Sequence, residues 1–180
     1  MANILWSGPE NTMIRTTLDD AGSGHRLAGT VLTIRDKVPL EIRYVILTDN
    51  EWAPRDVGIH ILGGEADVSL ALAADGKGSW TLDNEPLTDF DGCLDIDLGF
   101  TPATKSITIK RLGLDPGDSR RIKALSVGFP GEPVGANSHS YTRLDEHRYL
   151  HIVAGHEEEL VLNEAGLALA YGPWRAVAEG

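Results

Sequence analysis

The sequence predicts a mainly β protein with a single domain over residues 1–180, folded as an antiparallel barrel, roll or sandwich. The chain has 180 residues, which is the length of about one domain. Its 20 glycines and 9 prolines indicate frequent turns. Apolar residues also recur at every second position in short runs, and this period is typical of strands with one buried face.

The alternation predicts strands in order along the chain, over residues 29–35, 41–48, 57–62, 94–100, 123–129, 148–153, 160–162 and 167–171. Turn-forming residues separate these segments, at 22–24, 63–64, 75–78, 115–118 and 129–131. Turns at this spacing favour antiparallel neighbours. No strand–helix–strand unit is expected from this pattern.

One segment has the end signals of a helix. Thr101 is a suitable N-cap, Pro102 follows at the first helical position, and Gly113 comes after the end. The β-branched run 107–109 favours a strand instead. We predict a helix over residues 101–112, because all three end signals are present.

Composition excludes several function classes. The formal net charge is −11, which disfavours binding to nucleic acid or to anionic lipid surfaces. A single cysteine excludes an internal disulfide framework. No signal peptide and no apolar stretch long enough to cross a bilayer is found, so we expect a cytoplasmic protein without membrane insertion. No phosphate-binding, dinucleotide-binding or nucleophile-elbow motif occurs, and no cofactor or metal is expected.

The acidic segment at 89–97 carries the most chemistry. On a strand, Asp89, Asp91, Asp95 and Asp97 share one face with the cysteine between them, and Leu94, Ile96, Leu98 and Phe100 form the opposite, core-facing side. Four interpretations stay open: a structural role with basic partners or turn amides, a carboxylate pair for acid–base hydrolysis, a metal site, although the spacing fails the calcium-loop pattern, and polar-ligand binding. The candidate basic partners are Arg43, Arg55, Lys110 and Arg111.

Other candidate groups are less specific. Trp52 beside Arg55 suits stacking on a sugar or capture of an anionic head group. Cys93 is predicted to be a small buried side chain rather than a nucleophile, because the neighbouring carboxylates disfavour its thiolate. His147 and His151 share a strand face, with His139 placed across a hairpin, and ordinary surface or core histidines are the favoured interpretation.

Residues 87–112 read LTDFDGCLDIDLGFTPATKSITIKRL. This segment, above all D-G-C-L-D-I-D, resembles the central pattern of a bacterial family named for glycolipid binding and long classed as a domain of unknown function. Weaker matches flank it, at Arg43-Tyr44, Trp52 with Arg55, Asp75-Gly76 with Trp80, Tyr141-Thr142, and Gly166-Leu167 with Tyr171. The chain departs from the family pattern at Ala103, Lys105, Thr108 and Lys110.

The resemblance implies a spiral β-roll, in which a long antiparallel sheet wraps around a single α-helix, and it implies a homodimer. It also implies that a glycolipid or another amphipathic small molecule is the ligand. Fold likeness alone does not establish function. The alternatives are a hydrolase that uses Asp95 and Asp97, and a packed dimeric module without ligand. The sequence favours a non-catalytic role, with these ligand-binding candidates: Trp52, Arg55, Asp91, Asp95, Asp97, Arg111 and Tyr141.

Overall fold

The computed structural model describes residues 1–64, 67–129 and 132–180. These contain fifteen strands and one α-helix. The first eight strands are β1 (Ala2–Ser7), β2 (Met13–Asp20), β3 (His25–Arg35), β4 (Val38–Thr48), β5 (Pro54–Leu62), β6 (Val68–Ala74), β7 (Trp80–Leu82) and β8 (Glu85–Pro86). The others are β9 (Asp95–Leu98), β10 (Ser119–Val127), β11 (Gly135–Arg143), β12 (Arg148–Val153), β13 (His156–Leu162), β14 (Ala168–Tyr171) and β15 (Trp174–Glu179), with helix α1 (Ala103–Leu112) between β9 and β10.

All fifteen strands belong to one open sheet. Its order is β8-β7-β6-β5-β4-β3-β2-β1-β15-β14-β13-β12-β11-β10-β9. The first and last strands of the chain pair with each other in the interior of this order, so two runs of consecutive strands extend outward from the paired ends. The predicted mainly β fold with one long sheet is confirmed. The turn predicted at Pro130-Gly131 lies outside the described residues.

One strand pair departs from the antiparallel arrangement. β9 and β10 are parallel, with Asp95 opposite Ala124 and Leu98 opposite Val127, and α1 is the connection between them. The expectation that no strand–helix–strand unit occurs was therefore wrong. Parallel neighbours need a crossover of a dozen or more residues, and the segment with the helix end signals supplies it.

Helix α1 ends where its terminal residues predict and begins one residue later than predicted, at Ala103 after Pro102. The Thr101 hydroxyl accepts the backbone N–H of Ala103 at 3.2 Å. Gly113 adopts a left-handed backbone with φ of 54° and donates its N–H to the Ile109 carbonyl at 3.1 Å, an ending that glycine permits most easily. Residues 103–109 are all buried, so packing overrides the strand preference of the β-branched run. In the part of the chain described here, no helix is long and apolar enough to cross a membrane.

Tyr44 connects the sheet to the start of α1. Its ring lies directly over the backbone of Gly29 on the neighbouring strand, where a Cβ atom would collide with the ring. Its buried hydroxyl contacts the Thr16 hydroxyl at 2.6 Å and the Thr101 hydroxyl at 3.2 Å. Burial is the main reason that the pKa of Tyr44 rises to about 12. The hydroxyl is therefore a neutral, fully engaged hydrogen-bonding group of the core.

The acidic segment is a strand only in its second half. Residues 88–90 form a 3-10 turn, Gly92 has a φ of 88°, and β9 begins at Asp95. The prediction of one continuous acidic strand face is therefore wrong for Asp89 and Asp91. Leu94, predicted to face the core, is 39% exposed. Alternation holds from residue 95 onward, where Ile96 and Leu98 are buried.

Replacement of Tyr44 by phenylalanine tests the connection between the sheet and the helix. Tyr44→Phe removes one hydroxyl and leaves two buried threonine hydroxyls without that partner, so we expect a loss of about 1–2 kcal/mol in the free energy of unfolding. Urea titration would measure it. Tyr149→Phe is the matched control, because the buried Tyr149 makes no hydroxyl hydrogen bond to the described residues. Equal losses in both variants would contradict this role of Tyr44.

Candidate functional site

Asp95 and Arg111 form a buried, two-point ion pair between β9 and α1. Arg111 donates from Nε to Oδ1 at 2.8 Å and from Nη2 to Oδ2 at 2.6 Å. The Asp95 side chain is 1% exposed and that of Arg111 is 17% exposed. Two parallel hydrogen bonds fix the plane of the guanidinium group as well as its position. Arg111, one of the four basic residues proposed from the sequence, is therefore the partner of Asp95.

Asp97 forms the second ion pair between the same two elements, with Lys105. The Thr104 hydroxyl also donates to Asp97 Oδ1, at 3.1 Å. Burial alone would raise the pKa of Asp97, but the charge and hydrogen bond of Lys105 outweigh burial, with help from His139 and Thr104, and the pKa lies below its usual value. A general acid needs a raised pKa, so Asp97 is poorly suited to that role at neutral pH.

The direction of the chain explains the pairing. In the β9–α1–β10 crossover, the helix runs back antiparallel to the strand before it. Asp97, near the end of β9, therefore meets Lys105 in the first half of the helix, and Asp95 meets Arg111 in the last turn. A buried charge without a partner is very unfavourable. The two carboxylates thus neutralise the two cations that α1 brings into the interior.

A buried histidine pair extends the polar interior across β11 and β12. His139 Nδ1 lies 2.9 Å from His151 Nε2, and His151 Nδ1 lies 2.8 Å from the Tyr171 hydroxyl. His139 Nε2 points towards Asp97 Oδ2 at 3.8 Å. When the Tyr171 hydroxyl donates to His151 Nδ1, the N–H at His151 Nε2 donates to His139 Nδ1. The remaining N–H of His139, on Nε2, then faces Asp97. Both rings are at most 1% exposed, which confirms His139 and His151 as core histidines.

The histidine pair is uncharged at neutral pH. Burial, the largest effect, together with the nearby Lys105 and His139, lowers the pKa of His151 to about 3. Burial also lowers the pKa of His139. Within residues 1–64, 67–129 and 132–180, no group of three or more His, Cys, Asp or Glu side chains could hold a metal ion. The pair therefore acts as a neutral hydrogen-bonding element beneath Asp97.

A basic cleft opens outside the Asp95–Arg111 pair. Its volume is about 450 Å³, within the range of small-molecule sites. The cleft is lined by three apolar residues, by Gly92 and Asp95, and by four cationic residues: Leu94, Leu112 and Ile122, then Arg111, Arg120, Arg121 and Lys123. It lies where the loop before β9, the last turn of α1 and the first half of β10 meet.

The structure places two of the seven predicted ligand residues in the lining of this cleft and a third beside it. Asp95 and Arg111 line it. The backbone carbonyl of Asp91 accepts a hydrogen bond from Lys123 Nζ at 3.4 Å. Tyr141 lies in the closed interior instead, where it is 1% exposed and its ring stacks on His151. Asp97 lies deeper, on Lys105.

Trp52 and Arg55 lie elsewhere. The Trp52 ring stacks on His25 with a centroid separation of 3.5 Å, and Lys110 Nζ lies 4.9 Å from its centroid. Arg55 packs against the turn at Gly76. The cation beside Trp52 is thus Lys110 of α1. Cys93 is fully buried, as predicted, and burial is the main cause of the rise in its thiol pKa.

Sequence reasoning missed Lys105, which stands at a departure from the family pattern, and the basic character of early β10. The missed signal is the dense run Arg120, Arg121 and Lys123 in an acidic chain. The His139–His151 contact was indicated only by the placement of His139 across a hairpin from the predicted strand that carries His151. Its partner Tyr171 required the strand order of the whole sheet.

Two other cavities contain none of the predicted residues. One of about 750 Å³ is lined mainly by apolar residues of β13, β14 and the chain ends, such as Val161 and Leu169. Another of about 270 Å³ lies between β5, β6 and residues 127–129 and 132–134. The basic cleft differs from both because it combines apolar residues with several convergent charged groups.

Comparison with known proteins agrees with the fold and with the family resemblance. The sequence profile of the family described as "Putative glycolipid-binding" matches residues 3–175. The chain belongs to this family. A crystal structure of a DUF1089 family protein from Pseudomonas aeruginosa is 30% identical to the chain, with a TM-score of 0.80, and the alignment covers 93% of this chain and 92% of that one. None of the curated proteins matches the chain. The predicted family resemblance is confirmed.

The histidine pair predicts loss of stability on mild acidification. Unfolded histidine has a pKa of about 6.5, and the folded values lie lower, so below pH 6.5 the unfolded chain binds more protons. The free energy of unfolding should fall by about 2 kcal/mol from His151 as the pH drops from 7.5 to 5, and His139 should add to the fall in the same direction. Urea titrations at these pH values would measure it.

A matched pair of variants assigns the effect. His151→Asn should reduce the difference between pH 7.5 and 5, whereas His60→Gln, on the exposed side of β5, should leave it unchanged. A free energy of unfolding that stays constant from pH 7.5 to 5 would contradict the neutral buried pair.

Proposed function

We propose that the protein is a non-catalytic binding protein for an amphipathic, glycolipid-like molecule, and that the basic cleft holds the junction between its polar head and its apolar part. One observation carries this proposal: apolar and charged residues line the same cleft. Specific ligand sites combine an apolar lining with a few placed polar groups in this way.

The polar groups of the cleft are preorganised. Asp95 holds the Arg111 guanidinium through two hydrogen bonds, so this donor keeps its orientation without a ligand. Arg121 donates one hydrogen bond from Nε to the Ser138 hydroxyl, at 2.8 Å. Donors that are already fixed lose little conformational entropy on binding. They suit the hydroxyl and acidic oxygens of a sugar head group.

The apolar side chains of the cleft are partly exposed to solvent. Leu94 is 39% exposed, and Leu112 and Ile122 are half-buried. Covering these side chains with a ligand would remove apolar surface from water, which is favourable by about 25 cal/mol per Å². The family description, which refers to glycolipid binding, supports the same ligand class. The homodimer implied by the family resemblance is part of this proposal.

Native mass spectrometry of the gently purified protein, followed by organic extraction, tests the proposal. We expect a bound lipid of one molecule per chain and a protein mass of twice the 19.4 kDa chain. A clean mass without lipid, together with no binding of added monogalactosyl diacylglycerol or phosphatidylinositol micelles, would contradict ligand binding. A monomer mass would contradict the dimer alone.

Two leucine variants locate the site. Leu94→Asn places a polar group in the cleft and should reduce the lipid-bound fraction several-fold. Leu144→Asn is the matched control, because Leu144 is 43% exposed and does not line the cleft; its lipid-bound fraction should equal that of the wild type. Equal loss in both variants would place the ligand elsewhere.

A further inference from the structure

The basic cleft concentrates positive charge in an acidic protein. Four cationic side chains and one carboxylate line it, whereas the whole chain has a net charge of −11. That carboxylate, Asp95, is already engaged by Arg111. Among the described residues, no carboxylate oxygen lies within 4 Å of the charged nitrogens of Arg120, Arg121 or Lys123.

A second group of arginines offers a contrast with the cleft. Arg15, Arg26 and Arg43 line a cavity on the outer face of β2, β3 and β4. There, Arg26 lies 3.7 Å from Asp19 and Arg43 lies 2.6 Å from Glu41. Two of these three arginines thus have carboxylate partners within the chain. The three cations of β10 have none in the described structure, and they repel one another unless an anion neutralises them.

The backbone around these cations is also open. β10 pairs with β11 from Ser119 to Ser126, but on its other side it pairs with β9 only over residues 124–127. Residues 119–123 therefore form a free strand edge facing the cleft. A free edge presents unpaired backbone groups, and its N–H groups are additional donors for a bound anion.

We propose that the cleft recognises a phosphate group, carried by the polar head of its ligand. This inference rests on the proposed function, because it names the chemistry of that head group. A phosphate offers several anionic oxygens to several donors at once, and arginine forks match this geometry. Arg120, Arg121 and Lys123 would surround the phosphate, and Arg111, held by Asp95, would donate from the floor of the cleft. A carboxylate has only two oxygens and fits a set of three free cations less well.

Binding of defined vesicles by the full-length protein tests the proposal. The probes are neutral phosphatidylcholine vesicles that contain either phosphatidylinositol or monogalactosyl diacylglycerol, with inorganic phosphate and glucose 6-phosphate as soluble probes. We expect at least tenfold tighter binding to phosphatidylinositol vesicles than to galactolipid vesicles. The net charge of −11 opposes non-specific attraction to anionic vesicles, so such a preference would come from a local site.

Two double variants separate local from overall charge. Arg120→Gln with Arg121→Gln should weaken phosphatidylinositol binding about tenfold for each arginine replaced, and should weaken galactolipid binding by a clearly smaller factor, because the sugar loses only hydrogen bonds to its neutral acceptors rather than a charge–charge interaction. Arg26→Gln with Arg43→Gln removes the same charge far from the cleft and should leave both unchanged. Thermal melting confirms that the variants fold, as expected for exposed positions 120 and 121.

The outcomes distinguish this inference from the proposed function. Equal binding to both vesicle types would overturn the phosphate assignment and leave glycolipid binding in place. Binding of glucose 6-phosphate or inorganic phosphate without any vesicle binding, abolished in the Arg120/Arg121 variant, would support the phosphate site with a soluble ligand and overturn the glycolipid proposal. Absence of binding to every probe would overturn both.

Discussion

The burial of a charged helix is the constraint on which the rest of the structure depends. Residues 103–109 of α1 are all buried, and the helix brings Lys105 and Arg111 into or next to the interior. Asp97 and Asp95 meet these two charges from the strand that precedes the helix. Replacing buried ion pairs by apolar residues is often neutral or stabilising, whereas removing one partner is strongly destabilising. The pairs therefore specify how α1 sits in the roll more than they add stability.

The same two pairs organise both polar regions of the molecule. The Asp97 pair adjoins the histidines of β11 and β12, which remain neutral because they are buried. The Asp95 pair forms the floor of the basic cleft. The four-residue strand Asp95–Leu98 thus lies between the buried polar groups around Asp97 and the solvent-open basic cleft. This gives the family's acidic segment a structural role in both places, and it leaves the open side free to bind a ligand.

The sequence predicts the parts of this structure that depend on local pattern. Alternation identifies the inward residues of β4, Ile42, Tyr44 and Ile46, all buried, and capping residues identify both ends of α1. The pattern fails where tertiary contacts decide. Gly92 and the 3-10 turn before it make the acidic strand start later than predicted, and Leu94 is exposed. The pairing of Asp97 with Lys105, the approach of Lys110 to Trp52 and the contact of His151 with Tyr171 depend on the crossover and on the strand order. The hydrophobic periodicity of a single segment does not determine these pairings. The basic run at 120–123, in contrast, could be found in the sequence.

A double-mutant cycle across Asp95 and Arg111 tests the central claim most directly. The free energy of unfolding would be measured by urea titration for Asp95→Asn, Arg111→Gln and the double variant. If the buried pair positions the helix, each single variant should lose about 3 kcal/mol, and the double variant should lose clearly less than the sum, with a coupling of at least about 1.5 kcal/mol. Losses that add to within about 0.5 kcal/mol would show that the two side chains act independently, and would contradict the account.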